Sequence, residues 1–151
     1  MIQVEIENVS SAQRLPTNEQ LQRWAEAATQ REGAEAYIRI VDESEIAELN
    51  QTYRHKPGPT NVLSFPIEVP AGVPNDHLGD VVICAQVVER EAAEQGKSLE
   101  SHWAHMVVHG FLHLQGYDHI EDGAAEIMES QEIAILARLG FSNPYEAAGT
   151  L

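Results

Sequence analysis

The chain has 151 residues, 43% hydrophobic and 22% charged, a balance that suits one globular domain with a substantial core. Twenty-four acidic residues against nine basic ones give a net charge of −15, which argues against a broad electrostatic grip on nucleic acid and leaves room only for a local anion site. The longest apolar runs are five residues, the start Met1-Ile2-Gln3-Val4-Glu5 carries no secretory pattern, and the lone Cys84 has no internal disulfide partner; a cytoplasmic protein with no membrane association is expected.

Ile2, Val4 and Ile6 alternate with Gln3, Glu5 and Glu7, the period-two pattern of a half-buried strand. Thr17 and Gln20 form a capping box for a helix with the stripe Leu21, Trp24, Ala25 and Ala28, which Gly33 closes; Trp24 belongs to the core. Tyr37 to Val41 reads as a second strand, and Ser44 begins a second helix through Ile46, Ala47, Leu49, Asn50 and Tyr53. That helix ends at Arg54-His55-Lys56, where the basic residues cluster. Any anion-binding surface belongs there, unless the two cations merely solvate a loop.

Pro57-Gly58-Pro59 forces a turn, and Thr60 to Phe65 reads as a third strand ending at Pro66. The loop holding Pro66, Pro70, Gly72 and Pro74 is either a lid or a long connection. Leu78-Gly79-Asp80 introduces Val81 to Cys84, a continuous apolar run typical of a central strand, with Cys84 as a small core residue. Helices follow over Ala85 to Gln95, Leu99 to Gln115 and Ala124 to Leu139, the last with apolar Ile127, Ile133, Ala134 and Leu136. The partial alternation predicts one α/β or α+β domain over residues 1–151, with a mixed central sheet against which the helix of Leu99 to Gln115 packs.

That helix carries the chemistry. His109 and His113 are four apart, on one helical face with Cβ atoms roughly 5–6 Å apart, near enough for two imidazoles to share an ion. His105 continues the row but lies roughly 12 Å from His113 along the axis, too far for all three to reach one ion. His119 lies past Gly116, and a glycine after a helical run favours the left-handed cap that reverses the chain. His109, His113 and His119 therefore read as a His-x3-His-x5-His site with an open fourth position, as in catalytic zinc centres. The competing reading is that they are core or surface histidines without metal. The spacing is similar to the H-E-x-x-H-x-x-G-x-x-H pattern of metzincin proteases, yet Gly110 stands where those enzymes place their general base. Met128 is either an analogue of the methionine beneath that metal or ordinary core.

Leu49-Asn50 with Tyr53-Arg54, Pro59-Thr60-Asn61-Val62-Leu63-Ser64-Phe65-Pro66, Leu78-Gly79-Asp80 and the histidine stretch together resemble the YbeY endoribonucleases, or rRNA maturation factors, from about Ile38 to Leu139. The resemblance implies one Zn(2+) ion on His109, His113 and His119, single-strand-specific cleavage of RNA, maturation of the 3′ end of small-subunit (16S) rRNA and ribosome quality control. Arg54 matches the family's functionally important arginine, while Pro57 departs from its usual acidic residue. In phosphodiester hydrolysis a guanidinium can hold a phosphoryl oxygen beside the metal, the role open to Arg54. Asp80 and Asp118 either orient a histidine or cap local backbone, and His105 either faces the cleft or packs under the sheet. Another metallohydrolase, peptidase-like in type, and a zinc-containing assembly factor without catalysis are the alternatives. Because an acidic protein repels free RNA, a ribosomal protein partner is expected to help deliver the substrate.

Overall fold

The computed structural model describes residues 2–67, 69–70, 72–73, 75–117 and 122–146. Within these residues four strands, β1 (Gln3–Asn8), β2 (Glu35–Val41), β3 (Val62–Pro66) and β4 (His77–Cys84), form one sheet in the order β1-β2-β4-β3. β1, β2 and β4 run parallel, and β3 returns antiparallel along β4, so the sheet is mixed. Among the described residues five helices complete this single α+β domain: α1 (Asn18–Ala28), α2 (Glu43–Arg54), α3 (Ala85–Gln95), α4 (Leu99–Leu114) and α5 (Asp122–Arg138).

β4 explains why its sequence is apolar without alternation. Val81 and Ile83 face the larger core under α1, α4 and α5, while Val82 and Cys84 face a smaller cluster with Ile46 of α2 and Val87 of α3. A strand covered on both faces has no solvent side to mark with polar residues. Trp24 and Met128 are fully buried core residues, and burial pushes the Cys84 thiol up from its ordinary value.

The helix ends follow local chemistry. Thr17 and Gln20 form the expected reciprocal cap, with the Gln20 amide donating to Thr17 Oγ1 at 3.1 Å and the Thr17 amide to Gln20 Oε1 at 2.9 Å. α1 stops at Ala28 rather than near Gly33, because the Thr29 hydroxyl donates to the Ala25 carbonyl at 2.7 Å and satisfies the last turn earlier. β4 begins at His77, ahead of the apolar run, because Gly79 and Asp80 pair with Pro66 and Phe65.

α5 differs in part from its sequence reading. Ile127 is 59% exposed and Ala134 is exposed, whereas Met128, Glu132, Ile135 and Leu136 form the buried row at i, i+4, i+7 and i+8. Of the expected apolar positions Leu136 is buried and Ile133 half-buried, so Ile127 and Ala134 are the two that miss, and a glutamate occupies the middle of the buried row.

α4 lies close on the sheet at Gly110. A Cβ there would meet Val81 Cγ1 at 2.6 Å and Ser64 Oγ at 3.4 Å. Gly110→Ala gains about 1 kcal/mol of helix propensity but overpacks a stiff valine, so a net loss of about 1–2 kcal/mol is expected in urea unfolding. A variant more stable than the parent would show that the sheet yields at this contact.

Candidate active site

Ser98 caps α4 through a hydrogen bond from the Ser101 amide at 3.1 Å, and the helix then runs through the middle of the fold. From His102 to Leu114 every residue is buried except His109 and His113. Past its first turn the helix thus reaches solvent through two imidazoles. They open on a cleft of about 680 Å³ whose opposite wall is Tyr53 and Arg54 at the end of α2 and the stretch from Thr60 to Pro66 along β3.

The His109 and His113 ring centroids are 4.6 Å apart and their Nε2 atoms 3.1 Å apart. Two ligands of one tetrahedral ion with bonds of 2.0–2.1 Å sit about 3.3–3.4 Å apart, so this pair fits a shared zinc with a small adjustment. Behind His109, its Nδ1 lies 3.1 Å from Glu132 Oε2, and the same oxygen is 2.6 Å from His105 Nε2. The Tyr145 hydroxyl donates to the other carboxylate oxygen at 2.5 Å. His105, His109 and Glu132 thereby bring ligand-type atoms within 4.8 Å of one another, a group able to hold a metal ion. The 2.6 Å separation is nonetheless a hydrogen-bond length, too short for two ligands of one ion, and marks a hydrogen-bonded cluster supporting His109 from behind.

Charge in this cluster is fixed by its surroundings. Burial raises the Glu132 pKa, but hydrogen bonds from His105 and His109 outweigh it and hold the carboxyl at about 2. Burial pushes His105 below the ordinary imidazole value against the pull of Glu132, and it raises the Tyr145 phenol together with the carboxylate it contacts. Both depressed groups contribute stability above their unfolded pKa values and lose it as pH falls. Metal-free protein is therefore expected to lose stability below about pH 6.5 as His105 protonates on unfolding, and more steeply from about pH 4.5 toward 2 through Glu132. Urea midpoints across that range check this, and Glu132→Gln should flatten the lower part of the curve.

Arg54 stands in the last turn of α2, exposed at the cleft, and forms no ion pair or hydrogen bond with another described residue. The helix ends at His55 in the left-handed conformation with φ of 57°, rare for a residue with a side chain. Asn50, buried, donates to the Gly58 carbonyl at 3.0 Å and ties the following loop to α2. The other motif residues also position the walls. Ser64 Oγ donates to the Gly110 carbonyl at 3.1 Å, fastening β3 to α4. Asn61 donates to Glu91 at 3.1 Å, and Glu91 lies 2.9 Å from His102 Nε2.

Gly116, with φ of 98°, ends α4 in the expected reversal, its amide donating to His113 and that of Tyr117 to Leu112, both at 3.1 Å. His119 and Asp118 lie outside the described residues. His105 is buried away from the cleft lining, and Asp80 is exposed with His77 Nε2 at 3.4 Å. Among the described residues the carboxylate on His109 is Glu132, which the sequence reading overlooked together with Tyr145. Its signal was a glutamate interrupting the i, i+4, i+7 row of α5.

A model of the Endoribonuclease YbeY family matches residues 3–140. The protein named Endoribonuclease YbeY from Methylococcus capsulatus is 64% identical over 145 residues, covering 96% of this chain and 96% of that protein. The solution structure of TM1509 from Thermotoga maritima is 27% identical, covers 97% of this chain and 99% of its own, and superposes with a TM-score of 0.56. The α+β fold, the cleft and these relatives define a nuclease of the hydrolase class, acting on RNA. The chain belongs to the YbeY endoribonuclease family.

Proposed function

We propose that the cleft is the active site of a zinc-dependent, single-strand-specific endoribonuclease spanning residues 1–151. One Zn(2+) ion is held by His109, His113 and His119, and Arg54 binds the scissile phosphate. The observation that carries this reading is the opening of a buried helix at His109 and His113 opposite an arginine that no described carboxylate neutralises. In a chain of net charge −15, a cation at a cleft with no partner among the described residues selects for an anion.

A zinc ion bound there supplies Lewis acidity toward a phosphodiester and lowers the pKa of water toward about 7. The protein supplies the rest. Arg54 offers a planar fork of N–H donors to two phosphate oxygens and stabilises their growing charge. Tyr53, 62% exposed, packs edge-on against Phe65 at 5.2 Å between centroids and presents an aromatic face on which an unpaired base can stack. A duplex has no unstacked base to offer, which accounts for single-strand preference. Peptide hydrolysis is disfavoured by packing, since Val81 fills the space that a general-base glutamate at position 110 would need.

The acidic surface makes binding of free RNA weak and salt-dependent, so a ribosomal protein that delivers the strand completes the reading: 16S rRNA 3′-end maturation and ribosome quality control in the cytoplasm. Among the described residues no helix is long and apolar enough to cross a membrane. The test is Arg54→Ala, expected to retain zinc and lose about 10–100-fold in RNA cleavage, the worth of a charge-assisted contact of about 1.5–3 kcal/mol. Undiminished cleavage by a zinc-loaded Arg54→Ala protein would remove the arginine from the mechanism.

A further inference from the structure

We infer that Glu132, clamped by Tyr145, is the positioning residue that fixes the tautomer and direction of His109 as a metal ligand. The inference rests on the reading of His109 as a ligand and goes beyond it by assigning what holds that ligand in place. Glu132 is 0% exposed, in the middle of the buried row of α5. A carboxylate only accepts hydrogen bonds, so both imidazoles that reach Oε2 must donate to it: His105 from Nε2 at 2.6 Å and His109 from Nδ1 at 3.1 Å. With its Nδ1 proton committed, neutral His109 carries no proton on Nε2, the ligand-type atom that meets His113 Nε2 across 3.1 Å beside the cleft. His105 takes the opposite tautomer, with its proton on Nε2, which leaves Nδ1 unprotonated, and that atom is buried without a hydrogen-bond partner among the described residues.

Tyr145 completes the clamp. Its hydroxyl donates to Oε1 at 2.5 Å, so both carboxylate oxygens are engaged and the plane of the group is set. α5 and the segment after it thus bear on a ring that lines the cleft, an arrangement that packing alone does not require. Buried ion pairs are commonly replaced by apolar residues at no loss of stability, so a glutamate here is better explained by the ring it directs.

The experiment compares wild type, Glu132→Gln and Tyr145→Phe by competition of zinc against a chelating dye and by the visible absorption of the cobalt(II)-substituted proteins. Glu132→Gln keeps the shape of the side chain and is expected to weaken zinc binding about 10–100-fold, with an altered cobalt spectrum. Tyr145→Phe keeps both imidazole contacts of Glu132, losing only the hydroxyl with its 3.5 Å approach to His105 Nε2, and is expected to weaken it less, by a few-fold. Wild-type affinity and an unchanged cobalt spectrum in both variants, beside a wild type that binds zinc, would overturn the role of Glu132 alone. A wild type that takes up neither metal would overturn the ligand reading, and this inference with it.

Discussion

His113→Ala is expected to lose its metal and more than about 100-fold of RNA cleavage while remaining folded, a larger effect than the 10–100-fold that outer-shell changes produce. The separation of the two outcomes follows from where the ring sits. His113 is only partly buried, between Leu112 and Leu114, which do the packing in the last turn of α4. Alanine is also the best helix former, so the truncation leaves α4 intact. What disappears is one of two imidazole nitrogens 3.1 Å apart. Metal content by elemental analysis, thermal unfolding and cleavage on one preparation check this. A variant with full zinc and full activity would remove His113 from the site.

Gly79→Ala is expected to cost about 2–6 kcal/mol, the sum of an overpacked contact and a strained backbone, with a fall in Tm on the order of 10 °C. Gly79 has φ of 140°, which side-chain-bearing residues rarely adopt, and it pairs with Pro66 where β3 runs along β4. A Cβ would lie 2.3 Å from the Phe65 carbonyl oxygen and 2.9 Å from both Leu114 Cδ2 and Pro66 Cα. Two of those atoms are backbone and cannot step aside. Relief would push β3 outward, and β3 is the cleft wall opposite the histidines. Urea unfolding measures the loss, and unchanged stability would mean that the strand pair has slack.

The Leu78-Gly79-Asp80 motif thus has a steric basis, and it shows what a sequence can and cannot disclose. Local signals were legible: the Thr17–Gln20 cap, the left-handed stops at Gly96 and Gly116, and the two-faced burial of β4 announced by its unbroken apolar run. The pairing of His109 with His113 was legible because four residues is one turn of helix. Glu132 was not, since it meets His109 from 23 residues away on another helix, and only the sheet and core decide how those helices cross. Asn61 and Ser64 were legible as motif residues but not as fasteners, because their partners Glu91 and Gly110 come from distant elements.

The central claim is tested most directly by incubating protein of measured zinc content with a labelled single-stranded RNA, the same RNA annealed into a duplex, and casein, with His113→Ala prepared in parallel. Internal cuts in the single strand, at least about tenfold slower cutting of the duplex, intact casein and an inactive His113→Ala protein are the predicted result. Equal cleavage by wild type and His113→Ala, or digestion of casein with the RNA untouched, would contradict it.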